Sequence, residues 1–136
     1  MMPLTASGTI DSHLELLGWL HWFWAGFNAV VGAAMAAFAL AAVFAGTDSI
    51  GVNGTALASS VLAGAFGLVA LAALIWAAAH AWCAHALGRR NPWGRVVALG
   101  LAVFDALLVP LGTLLAAYTG WVLLQEEGRR RFGLVM

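Results

Sequence analysis

Few side chains in this chain could do chemistry. There are four histidines, one cysteine and, deep in apolar sequence, the acid Asp105. His80 and Cys83 stand three positions apart, so on a helix they share a face. His21, on a preceding helix, can face His80. That pair is the candidate cofactor site: two imidazoles could hold a haem b, or a soft metal together with Cys83. The plainer expectation is that His21 belongs to the aromatic residues around it. His80 and His85 would then bond backbone or headgroups, with no cofactor and no metal.

A carboxylate at the position of Asp105 costs a few kcal/mol in an apolar medium, so ionisable groups there are functional suspects. The structural expectation is that Asp105 is protonated, hydrated from outside, or bonded to Thr113 across a turn. The sharper one is a proton or cation path using Asp105 and Asn28. Asn28 and Tyr118 could also bond between helices. No nucleophile–base–acid set, phosphate loop or paired carboxylate occurs, so an enzyme is not expected. Asn53-Gly54-Thr55 matches a glycosylation sequon but reads as a turn.

These residues sit in a chain of 136 residues that is 63% hydrophobic and 9% charged. A soluble domain carries about 25% charged residues. The composition therefore points to an all-α integral membrane protein, a single helical transmembrane domain over residues 1–136 with the lipid bilayer as its main partner. Net charge is zero, so no nucleic-acid partner is expected. The single cysteine allows no intrachain disulfide. The N-terminus lacks the basic residues of a signal peptide, so the whole chain is expected to be kept.

Four helices are expected, at about residues 14–45, 55–87, 93–109 and 111–127. Asp11 or Ser12 is expected to cap the first, with Glu15 as capping-box partner of Ser12. From Leu14 to Ala45 that helix would run about 48 Å, against a hydrocarbon core of roughly 30 Å. Gly46–Gly54 reads as a turn, Gly88 as the end of the second helix, and Pro92 as the first residue of the third. All six cations flank the last apolar run: Arg89, Arg90 and Arg95 before it, Arg129, Arg130 and Arg131 after it. The positive-inside rule puts both clusters in the cytoplasm, so an even number of crossings joins them. The expected fold is two long spans and then a short hairpin turning at Pro110–Gly112, with both termini cytoplasmic. The rival is three spans with a third helix kinked at Pro110.

Trp19, Trp22 and Trp24 fit an aromatic belt at one headgroup level, and Arg89, Arg90, Arg95, Arg129 and Arg130 complete the interfacial anchors. Alanines from Ala25 to Ala45 recur at every fourth position, as small residues nearly do from Ala65 to Ala81. Such stripes read as packing within the monomer. Gly112, Ala116 and Gly120 form the best single helix-packing interface.

Two segments carry a resemblance. One is His13-Leu14-Glu15-Leu16-Leu17-Gly18-Trp19-Leu20-His21-Trp22. The other is Pro110-Leu111-Gly112-Thr113-Leu114-Leu115, followed by Tyr118 and Trp121-Val122-Leu123-Leu124. Together they resemble an uncharacterised family of small bacterial inner-membrane helical proteins, over about half the chain. Ala116 and Gly120 depart from the family pattern, which has glycine and an apolar residue there. The resemblance implies a multi-pass protein of the bacterial inner membrane and carries over no functional residues.

The functional expectation is a structural or accessory role, as a homo-oligomer or a subunit of a larger membrane complex. The alternatives are an oligomeric channel or transporter for a small ion or solute using Asp105, and a haem- or quinone-associated redox subunit using His21 and His80.

Overall fold

The computed structural model describes residues 4–48, 53–108 and 110–133. Among them every regular element is helical: α1 (Leu4–Asp48), α2 (Asn53–Gly88), α3 (Pro92–Asp105), α4 (Leu111–Leu124) and the short α5 (Glu126–Arg131). Two of these, α1 and α2, are long and apolar enough to cross a membrane. The centre of the turn expected at Gly46–Gly54, and Val109 in the turn before α4, lie outside the described residues. So do the side chains of the Asn53-Gly54-Thr55 sequon.

Helix α1 starts at Leu4, well before the expected residue 14. The Ser12–Glu15 capping box is therefore mid-helix, and Ser12 Oγ instead donates to the carbonyl of Thr9 at 2.8 Å. What holds the early turns is tertiary. Ile10 and Leu14 are buried, and Asp11 accepts ion pairs from Arg90 at 2.8 Å and Arg131 at 2.7 Å. Helix α2 ends at Gly88, as expected. Arg90, not Gly88, takes the left-handed conformation, at φ 55°. Its N–H bonds Leu87 O, and the Asn91 N–H bonds Ala86 O, both at 3.0 Å, which is the Schellman pattern. A non-glycine residue pays for that backbone conformation, and the Asp11 ion pair holds it there. Helix α3 opens as the sequence suggests, with Asn91 accepting from Trp93 N and Pro92 in the first turn.

The chain divides into two compact units. Unit 2 is Ala25–Ala78, a pair made of the second half of α1 and most of α2. Gly32 lets Leu74 and the Ala70 carbonyl approach, Gly46 meets Ser59, and Phe38 lies 5.7 Å from Phe66 between ring centroids. The alanine stripe of α1 is not this packing face: Ala33, Ala37, Ala41 and Ala45 are exposed. A four-residue step turns about 400° on a helix at 100° per residue, so such a stripe drifts around it. The inward face runs through Gly32, Met35, Ala39, Ala42 and Gly46.

Unit 1 combines Met1–Trp24 with Ala79–Met136. Its helices α3 and α4 fold back on each other as a hairpin, but the connection lies before the expected Pro110–Gly112, between Asp105 and Leu111, because Leu111 and Gly112 already belong to α4. Each arm is 14 residues, shorter than expected and about 21 Å long. The turn is hydrogen-bonded: Leu107 N to Phe104 O, Leu108 N to Asp105 O, and Gly112 N to Leu108 O. Thr113 Oγ1 donates to Ala106 O at 3.0 Å, not to Asp105. Gly112 abuts the Asp105 carbonyl, where a Cβ would collide with backbone. At the other end Arg95 Nε donates to Leu123 O at 3.0 Å, satisfying a carbonyl in the last turn of α4. The stripe Gly112–Ala116–Gly120 therefore splits. Gly112 is consumed inside the hairpin, while Ala116 and Gly120 line an open groove of 390 Å³ with Ala106 and Thr113.

Gly112→Val should lower stability by about 1–3 kcal/mol through overpacking against backbone. Gly100→Ala, where an added Cβ meets nothing within 4 Å, should leave it unchanged or slightly raised. Thermal melts in mild detergent compare the two.

Candidate functional site

Unit 1 buries four polar side chains completely, His21, His80, Asp105 and Thr119, each at 0% exposure. Three helices bring the first three together. Leu17 and Trp24 bury the same face of α1 as His21, one turn to either side. On α2, His80 shares its face with Cys83, Ala84 and Leu87, all buried. Asp105 is the last residue of α3, aligned with buried Ala98, Leu101 and Ala102. Both histidines thus sit on the apolar stripes that face inward.

His21 Nδ1 and His80 Nδ1 are 2.9 Å apart, so one donates and the other accepts. The far nitrogen of His80, Nε2, stands 3.4 Å from Asp105 Oδ1. Trp24 Nε1 donates to the same oxygen at 3.2 Å. The groups form one line: His21, His80, Asp105, with Trp24 steadying the carboxyl end. No arginine joins the line, since Arg90 and Arg131 are engaged with Asp11. Among the described residues, His21 Nε2, His80 Nε2, Asp105 Oδ2 and Thr119 Oγ1 are buried and make no hydrogen bond, His80 Nε2 meeting Asp105 only as the 3.4 Å ion-pair contact. A buried polar atom left unpaired costs about 1–3 kcal/mol. Four in one core make this the most polar part of the unit's interior.

The sequence-level candidates resolve unevenly. His21 and His80 do meet, but their rings are in direct contact, stacked with centroids 5.1 Å apart and 28° between planes. A haem iron ligated by both would stand between the rings with its macrocycle separating them. Rings that hydrogen-bond each other leave no such gap, so the pair does not fit a bis-histidine haem. Cys83 Sγ takes Gly94 O as partner at 3.9 Å, and no group of three or more metal-ligating side chains gathers among the described residues. Asp105 joins the histidines, whereas Asn28 is half-buried and belongs to unit 2.

Trp24 was expected in the aromatic belt. It is only 8% exposed, because its indole N–H is the donor that Asp105 needs. Trp19, at 67%, and Trp22, at 49%, do face outward. Tyr118 bonds between helices, its hydroxyl 2.8 Å from His13 Nδ1. Among the arginine anchors, Arg90 and Arg95 are half-buried and bonded within unit 1. Arg130 pairs with Glu126 at 2.7 Å, and Arg89 and Arg129 are exposed. Thr119 was missed by the sequence reading. Its signal was its spacing from Leu115 and Val122 on one face of α4.

An apolar cavity of 330 Å³ lies beside the line, walled by Leu20, Phe23, Trp24, Leu115 and Tyr118 among others. Its two polar groups are already engaged, Trp24 by Asp105 and Tyr118 by His13. It offers hydrocarbon walls and no free donor for a quinone carbonyl.

A double-mutant cycle on His21→Leu and His80→Leu should give a coupling of about 0.6–1.7 kcal/mol, with the double variant less destabilised than the two singles summed. Each single strands one imidazole, and the double strands neither. Chemical denaturation in detergent measures the cycle.

No family model, curated protein or solved structure matches the chain.

Proposed function

We propose that this chain is a small multi-pass membrane protein that binds and passes protons through the line His21–His80–Asp105. The observation that carries the reading is an acid and two histidines wholly buried in contact, with unpaired atoms at both ends of the line. Consider a proton arriving at His21 Nε2 when His21 Nδ1–H donates to His80. The Nδ1 proton moves to His80 Nδ1, and the His80 Nε2 proton moves to Asp105. Asp105 is then a neutral acid and the His21–His80 bond has reversed direction. The relay must reset, by return of the proton or by ring reorientation, before the next. One proton passes along the line per cycle, once Asp105 releases it from its carboxyl and the rings reorient.

The membrane placement rests on composition and on the arginines. Asp11 joins Arg90 to Arg131, so both basic clusters lie at one end of unit 1. By the positive-inside rule that end, and both termini, are cytoplasmic. The hairpin then enters and leaves on that side. Its arms of about 21 Å fall short of the roughly 30 Å core. Its turn carries exposed Phe104, Leu107, Leu108 and Leu111, which suits a tip resting in hydrocarbon. The closed hydrogen bonds of the turn make that tolerable. A bacterial inner membrane is the location the sequence resemblance suggests.

The accessory role is the second reading, favoured by the open groove at Ala116 and Gly120, which would seat a helix of a second copy or of a larger complex. A protein that carries no proton flux by itself leaves that role standing.

Reconstituted into vesicles holding a pH-sensitive dye, the wild type should relax an imposed pH gradient. Asp105→Asn should reduce the rate at least about tenfold, as expected for a lost proton group. Glu127→Gln, remote from the line, should not. Equal rates for wild type and Asp105→Asn would end the proton reading. Topology has its own check. Cys83 is fully buried, so thiols introduced as Arg89→Cys and Arg129→Cys should both react with an impermeant maleimide from the same side.

A further inference from the structure

The polar line of unit 1 ends at His21 Nε2, a buried atom that makes no hydrogen bond among the described residues. Thr119 Oγ1 on α4 is in the same condition, and both residues are at 0% exposure. The helices that carry them run side by side in opposite directions. His13 of α1 meets Tyr118 and Trp121 of α4. Further along α1, Leu20, Phe23 and Trp24 wall one cavity with Leu111, Leu114 and Leu115. His21 is therefore level with the Leu114–Leu115 part of α4. Thr119 follows Leu115 on the same buried face. Four residues place it one turn, about 6 Å, nearer the arginine end.

Side-chain direction brings the two atoms toward each other. A helical side chain leans toward the N-terminus of its own helix. On α1 that carries His21 toward the arginine end. On α4, which runs the other way, it carries Thr119 toward the hairpin turn. The levels are too far apart for a direct bond. One water, with hydrogen bonds of about 2.8 Å on either side, spans a gap of this size. A buried water needs at least two polar partners, and these two atoms supply them. Leu17 and Val122, each at 0% exposure, stand one turn nearer the arginine end and flank the place with hydrocarbon.

We propose that Thr119 and His21 hold a buried water between them, and that this water feeds protons to the line. Thr119 Oγ1 donates to the water, and the water donates to His21 Nε2. An incoming proton makes the water a hydronium, which gives one proton to Nε2 and is water again. The hydroxyl turns to accept while the charge is on the water, since a hydroxyl can do either. Thr119 is thus a positioning residue, and the line gains a direction: intake on the arginine side, Asp105 toward the hairpin turn. The role rests on the proton reading, whereas the water site does not.

The test uses the full chain and two substitutions. Thr119→Val replaces the hydroxyl with a methyl of the same shape, and Thr119→Ser keeps the hydroxyl. Each is combined with His21→Leu, and melting in mild detergent is recorded. Thr119→Val should lower the melting temperature of the wild type. In the His21→Leu background it should lower it less or raise it, because the water has already lost its acceptor. Thr119→Ser should shift both backgrounds equally. Additive effects of Thr119→Val overturn the site whatever their sign, as does an equal coupling for Thr119→Ser. In dye-loaded vesicles Thr119→Val should slow relaxation of the pH gradient about tenfold, and Thr119→Ser should keep most of the wild-type rate. Wild-type flux that Thr119→Val leaves unchanged overturns the role. A wild type without flux overturns the proton reading, and the melting cycle then decides the water site by itself.

Discussion

A carboxyl group walled in by alanine and leucine must find its partners inside the protein. That requirement organises unit 1. Asp105 ends α3 and draws an indole N–H from α1 and an imidazole from α2. The imidazole in turn reaches a second one on α1. Three helices are thereby fixed in rotation and height by one chain of polar contacts. The apolar contacts around it, Leu17, Leu87, Val122 and Leu123, fill space without choosing a register. In an apolar surround these bonds have little competition from water, so geometry decides which pairs form.

The opposite end of unit 1 repeats the principle with full charges. Asp11 takes two arginines from distant parts of the chain, while Arg95 serves the Leu123 carbonyl near the end of α4. Exposed pairs of this kind contribute little energy each, about 0–1 kcal/mol. Their effect is positional: they set the left-handed Arg90 and bring the two basic clusters together. Glycine does the complementary work between them. Gly112 and Gly128 admit backbone carbonyls where any side chain would clash.

Much of this was legible in the sequence. Asn91-Pro92 fixed the start of α3 because the cap and the ring both act locally. Pro110 and the flanking arginines gave away the hairpin, since a proline removes a donor and charge marks helix ends. His21 and His80 could be paired because each lies on an apolar stripe. What stayed hidden depends on partners far along the chain. Nothing local distinguishes Trp24, which donates inward, from Trp22, which faces out. Ser12 looks like a cap until Asp11, one residue before it, turns out to anchor the helix further upstream. Gly88 marks the end of α2, but nothing local shows that Arg90, two residues on, takes the left-handed conformation. The alanine spacing of α1 misleads because a fourth-residue repeat is not a straight line on a helix.

The composition of unit 1 has a consequence for how the chain is made. Its first part, Met1–Trp24, leaves the ribosome long before Ala79–Met136, the part that completes it. Unit 2 is built from neighbours in sequence and can close early, whereas His21 has no imidazole to meet until His80 has been synthesised, and no acid to face until Asp105 follows. Contacts that span most of the chain are slow to form. The first part of α1 therefore waits for α3 and for Arg131 before its polar groups meet the partners they have in the finished unit.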